Sequence, residues 1–145
     1  MPSNYETFFN GQKFAVVGNS DKMNFPVLTY RGLKNLSKTV FPVDVKANEI
    51  DGDRVYREIS EIPEQVDRVI FELPKNEMVS WILKASEAGI KDVWIHMGCE
   101  TKEAVQLALE KGINLRTGTC AVMYVTPDPS FHSIHKWIMK IFKKY

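Results

Sequence analysis

The chain has 145 residues, 44% of them hydrophobic and 26% charged, with 19 basic against 18 acidic side chains. That is one domain's worth, long enough to bury its own core, and it excludes a disordered or fibrous chain. A net charge of +1 gives no overall pull toward nucleic acid or anionic membrane.

The near-neutral total is an average. Residues 126–145 hold four Lys and one Asp, a net of +3 that leaves −2 for the rest. No apolar run approaches the roughly 20 residues that span a bilayer, and Met1-Pro2-Ser3-Asn4-Tyr5-Glu6 lacks the basic-then-apolar layout of a signal peptide. Two cysteines, Cys99 and Cys120, are too few for a disulfide framework. The expectation is a cytoplasmic protein with reduced thiols.

Phe14-Ala15-Val16-Val17 is a short, nearly continuous apolar run, the pattern of a strand buried on both faces, and it ends at Gly18-Asn19-Ser20. A helix-like stretch follows, with Val27, Leu28, Leu33 and Leu36 apolar. Thr39 to Val43 reads as a second strand and Asp44 to Gly52 as a long polar loop. Val66, Val69, Ile70 and Phe71 make a third strand, closed by Leu73-Pro74. Residues 76–88 carry the helical stripe Met78, Val79, Ile82, Leu83 and Ala85, ended by Gly89. Val93 to Met97 is a fourth strand closed by Gly98. Residues 101–111 form a short helix with Thr101 as its cap, and Ile113 to Arg116 a fifth, weaker strand.

Strands alternating with short helices predict βαβ units and a parallel sheet. With right-handed crossovers, the simplest arrangement is a doubly wound, five-stranded Rossmann-like α/β fold. Such sheets bind ligands beyond the carboxyl ends of their strands, where strand order reverses. The loops at 18–25, 44–48, 72–76 and 97–100 all belong to that rim.

The first loop suits a phosphate. Backbone N–H groups at the start of a helix favour an anion, Gly18 permits close approach, Ser20 offers a hydroxyl and Lys22 a charge. Capping for structural reasons alone produces the same residues. The loop is not a dinucleotide fingerprint, since Ser20 and Met23 stand where glycines are required. No Walker A loop or nucleophile elbow occurs either.

Ala15-Val16-Val17-Gly18-Asn19-Ser20 resembles the first strand and loop of the small bacterial and archaeal CoA-binding-domain proteins. These in turn resemble the CoA-binding Rossmann domain of the succinyl-CoA synthetase alpha subunit. Phe41-Pro42-Val43-Asp44, Glu49-Ile50-Asp51-Gly52, Tyr56, Ile62 to Asp67, Ala88 to Trp94, Met97-Gly98 and Glu103-Ala104 extend the match in one order over roughly residues 8–125.

The resemblance implies coenzyme A or an acyl-CoA lying across the strand ends. Gly18, Asn19, Ser20 and Lys22 would hold the pyrophosphate. Asp44, Val45 and Lys46 would meet the adenosine 3′-phosphate end, and Leu73, Pro74 and Gly98 would line the pantetheine arm. Two departures stand out. Asp21-Lys22-Met23-Asn24-Phe25-Pro26 contains no Arg where the family usually has one, and Asp44-Val45 replaces the usual Asn-Pro. An acid at that strand end suits a ribose hydroxyl, so an NAD(P)- or adenine-nucleotide-binding module stays open. So does a small CoA-dependent transferase or thiol redox enzyme.

The residues offer no catalytic constellation and no metal site, and a non-catalytic binder, sensor or carrier of the cofactor is the expectation. His96 ends the fourth strand. Cys99 falls near a helix start, a position that lowers a thiol pKa; an ordinary thiol is the simpler expectation for it, and a packed thiol for Cys120. His132 and His135, three apart, lack a third ligand. Phe131, Ile134, Trp137, Ile138, Ile141, Phe142 and Tyr145 recur at helical spacing opposite Lys136, Lys140, Lys143 and Lys144. This predicts a C-terminal amphipathic helix over 126–145, appended to a 1–125 domain. It would pack on that domain or on a second subunit as a homodimer, and a basic helix of this kind also suits an anionic membrane surface.

Overall fold

The apolar runs pair as parallel strands. In the computed structural model, which describes residues 8–19, 25–50 and 52–117, β1 (Lys13–Gly18) leads through α1 (Phe25–Asn35) to β2 (Thr39–Asp44). A small antiparallel hairpin, β3 (Glu49–Ile50) and β4 (Asp53–Arg54), precedes β5 (Arg68–Glu72). Then come α2 (Met78–Glu87), β6 (Asp92–Ile95), α3 (Lys102–Glu110) and β7 (Asn114–Arg116). The main sheet has the order β2-β1-β5-β6-β7, and every pair in it is parallel.

Residues alternate between the two sheet faces, and each face has its own core. Phe14, Val16, Ile70 and Trp94 pack with Leu33 of α1 and with Phe8. Ala15, Val17, Val69, Phe71, Val93 and Ile95 pack with Trp81, Ile82 and Ala85 of α2 and Ala104 and Ala108 of α3. Helices therefore cover both faces, as a doubly wound sheet requires. On the α1 face the rings of Phe8, Phe9, Phe14 and Trp94 form one cluster, with Phe8 and Trp94 centroids 5.3 Å apart and tilted edge-on, the geometry aromatic quadrupoles favour.

The helix ends follow from local chemistry. Thr101 accepts the Ala104 N–H at 3.1 Å and caps α3. Gly89, at φ +77°, takes the left-handed turn after α2 that a side chain would resist.

One expectation is corrected. Residues 44–52 do not run as an unstructured polar loop: Glu49 and Ile50 enter the hairpin, with Glu49 opposite Arg54 and Ile50 opposite Asp53. The hairpin is tied to α1 through Asp53, which accepts bonds from the Tyr30 hydroxyl and, at 2.9 Å, from Lys34. These two donors hold the Asp53 carboxyl below its ordinary value. Tyr56 adds a parallel bridge to β2, its backbone bonded to Pro42 and Asp44. That covers part of an edge otherwise open to pairing. Residues 118–145 lie outside the described residues, and with them Cys120, His132, His135 and the expected C-terminal helix. No helix among the described residues is long and apolar enough to cross a membrane.

Candidate functional site

β1 joins β2 on one side and β5 on the other, so the chain reverses direction across the sheet between β1 and β5. The carboxyl ends of those two strands are Gly18 and Glu72, which are register partners. Gly18 is also the partner of Asp44 at the end of β2. On the other side, the His96 N–H donates to the Phe71 carbonyl at 2.9 Å, carrying the β5–β6 ladder one step further and setting His96 beside Glu72.

Four residues thus form one row across the rim: Asp44, Gly18, Glu72 and His96. The strand alternation puts the row on the α1 face. Asp44, Glu72 and His96 are all buried, as is Asn19 in the loop that follows Gly18. Polar groups survive such burial only with partners or with a function that uses them. Asp44 spends one oxygen on its own turn, accepting the N–H groups of Lys46 at 2.8 Å and Ala47 at 3.1 Å. Glu72 is fully buried; its Oε1 accepts the Thr29 hydroxyl of α1 at 2.5 Å, and its Oε2 has no hydrogen-bond partner among the described residues. Burial pushes the Glu72 carboxyl up to about 8, the Thr29 bond offsetting it only in part.

The expected site residues divide by position. Gly18 and Asn19 sit at the strand-order reversal, whereas Ser20 and Lys22 lie outside the described residues. Asp44, Val45 and Lys46 occupy the neighbouring rim loop, with Asp44 buried, Val45 half-buried against the core and Lys46 exposed. Leu73 is fully buried in the core of the α2 face and presents no exposed surface to the rim. Pro74 precedes a tight turn over Lys75–Glu77. Gly98 is exposed at φ +85°, and its N–H donates to Glu100 Oε2 at 2.9 Å.

The sequence missed two residues. Arg57 donates to the carbonyls of Asp44 at 2.7 Å and Ala47 at 2.5 Å and to Asn48 Oδ1 at 2.7 Å, so one guanidinium shapes the whole 44–48 rim loop. Its position 13 residues from Asp44 gave no local signal. Glu72 was hidden because an acid after an apolar strand reads as its solvated end, whereas the register holds it under α1.

Cys99 is the ordinary thiol of the simpler expectation. Cys99 is buried, and its pKa is pushed up to about 11, first by burial and then by Glu72 and Glu100. A backbone bond from Leu73 opposes the rise without reversing it. Any lowering from the nearby helix start is outweighed, and Cys99 is a protonated thiol at neutral pH.

Two depressions lie off the row. One of about 430 Å³, lined by Glu58, Ile59, Ser60, Lys84, Glu87 and Ala88, flanks the C-terminal half of α2 and carries the Lys84–Glu58 ion pair at 3.0 Å. The other, of about 490 Å³, follows the first turn of α3 along Glu100, Thr101, Lys102, Val105 and Gln106. No group of three or more His, Cys, Asp or Glu among the described residues is arranged to hold a metal ion.

A parallel sheet of this strand order, with helices on both faces and a small-residue loop at the reversal, defines an α/β domain of the nucleotide-binding type. The chain belongs to the CoA binding domain family, whose model matches residues 12–126. It is 31% identical over 127 residues to the alpha subunit of acetate–CoA ligase [ADP-forming] II from Pyrococcus furiosus, across 78% of this chain and 27% of that protein. The alpha subunit of the type I enzyme from the same organism is 28% identical over 120 residues, 72% of this chain and 26% of that protein. The chain thus spans about a quarter of the length of these curated relatives.

Solved structures agree on the fold. A conserved hypothetical protein from Pyrococcus furiosus superimposes with a TM-score of 0.70 at 28% identity, covering 77% of this chain and 97% of that one. The dinucleotide-forming acetyl-coenzyme A synthetase 1 of Ca. Korarchaeum cryptofilum matches with a TM-score of 0.65 at 25% identity, covering 77% of this chain and 27% of its own.

Proposed function

We propose that this chain binds coenzyme A or an acyl-CoA across the carboxyl ends of β1, β2 and β5, and that it does so as a cofactor-binding module without chemistry of its own. The observation that carries this reading is the strand-order reversal between Gly18 and Glu72 in a chain of the CoA binding domain family. Gly18, Asn19, Ser20 and Lys22 hold the pyrophosphate, chiefly by backbone N–H groups at the entry to α1. Asp44, Val45 and Lys46 receive the adenosine end, and Leu73, Pro74 and Gly98 border the arm. CoA brings the thiol that carries acyl groups; the protein's part is to hold and orient it.

The absence of a low-pKa thiol at Cys99 favours this reading over thiol redox chemistry at the rim. In this reading the module is cytoplasmic and presents CoA to a partner that supplies the catalytic groups. Thermal melts with CoA, acetyl-CoA, NAD and ATP test the ligand class. A ligand at 100 times its dissociation constant stabilises by about 2.7 kcal/mol, so CoA or acetyl-CoA raises Tm by several degrees. A rise with NAD and none with either CoA species overturns the proposal.

A further inference from the structure

We propose that Glu72 is a binding residue of this crevice, using the Oε2 that its protein neighbours leave over to bond the amide-bearing arm of the ligand rather than its phosphates. The inference rests on the reading of the crevice as the CoA site and goes on to name which part of the ligand lies over the row.

Gly18 contributes no side chain to the row, so β1 itself places none between Asp44 and Glu72, its register partners on either side. Glu72 is fully buried at this point of the reversal, held from α1 by Thr29 through Oε1 while Oε2 remains over. A buried carboxyl oxygen without a partner is costly, and a ligand group that completes it recovers that cost.

The protonation state selects the ligand chemistry. With its carboxyl pushed up to about 8, Glu72 is neutral at pH 7 and donates an O–H bond, which an amide or thioester carbonyl accepts. Above that pH it becomes a buried carboxylate two strands from the acid Asp44, and the donor is gone. The other groups around it are His96 beside it on the β6 side, Cys99 in the following loop with Lys75 and Glu100 near its thiol, and Thr29 on α1. Tyr30 and Lys34 of α1 are turned to Asp53.

The test is calorimetric titration of CoA and of 3′,5′-ADP, which keeps the adenosine end with two of CoA's three phosphates and lacks the arm, into the wild type, Glu72→Gln and Thr29→Val at pH 7 and pH 9. Glu72→Gln keeps the shape and a donor but has no proton to lose. Wild-type affinity for CoA is expected to fall about tenfold between these pH values relative to Glu72→Gln, one pH unit beyond the carboxyl's midpoint being worth a factor of ten. Affinity for 3′,5′-ADP is expected to change equally in both proteins. Thr29→Val removes a bond that favours the charged form, so the fall moves to higher pH; this arm keeps the test open if Glu72→Gln fails to fold. Equal pH profiles for wild type and Glu72→Gln, an unmoved fall in Thr29→Val, or the same fall with 3′,5′-ADP overturns this inference alone. A wild type that binds no CoA at pH 7 overturns it together with the proposed function.

Discussion

Glu72 stands directly across the β1–β5 ladder from Gly18, so a fully buried carboxyl and a residue without a side chain share the point where strand order reverses. The stability of the domain carries a mark of this arrangement. The folded state keeps the Glu72 proton up to about pH 8, whereas the unfolded chain releases it near the ordinary 4.5. Between those values the folded state binds more protons, so stability falls as pH rises through the window and levels off above it. Denaturant unfolding of the wild type and Glu72→Gln from pH 4 to 9 should show the variant gaining on the wild type across that interval, by an amount on the order of 5 kcal/mol at most. A difference that stays constant with pH contradicts a buried, neutral Glu72.

Asp53 works with the opposite sign. Tyr30 and Lys34 lower its carboxyl below 3.8, so its contribution is present above that value and is lost as pH falls through the folded one. Because Asp53 and Lys34 are well exposed to solvent, salt screens the charged part. Asp53→Asn should flatten the acid limb of a pH titration of Tm below about pH 4 and leave the limb above pH 5 parallel to the wild type.

Arg57 holds the loop that carries Asp44, Val45 and Lys46. Arg57→Ala removes three close bonds to that loop, at about 1–2 kcal/mol for a mostly exposed guanidinium or a few degrees in Tm. A larger relative effect is expected on CoA affinity, several-fold by calorimetry at a temperature where the variant is folded. Unchanged affinity separates the 44–48 loop from the ligand.

Cys99 should be slow to react. With its thiol buried and its pKa near 11, iodoacetamide at pH 8 is expected to label it only slightly in the native protein and fully in urea, read peptide by peptide in a mass spectrum. Rapid native labelling contradicts the burial.

The strands of the main sheet were legible in the sequence because short, nearly continuous apolar runs such as Phe14 to Val17 fit a strand buried on both faces, and because Thr101 and Gly89 are strong punctuation. The hairpin at Glu49–Arg54 was not, since its two-residue strands have no hydrophobic period and depend on Asp53 reaching Tyr30 and Lys34. At the site, the small residues Gly18 and Asn19 announced the rim loop. Glu72 and Arg57 did not, because their roles come from register and from a contact across 13 residues, which no local pattern encodes. The resemblance to CoA-binding proteins supplied the ligand that residue types alone left open between CoA and a nicotinamide or adenine nucleotide.

The most direct measurement of the central claim is calorimetric titration of CoA into the wild type and Ser20→Glu, a variant that sets a carboxylate in the first rim loop. The wild type is expected to bind one CoA per chain saturably and the variant at least tenfold more weakly, with both proteins melting cooperatively. Equal binding by the two proteins, or no heat with CoA alongside saturable binding of NAD, would contradict it.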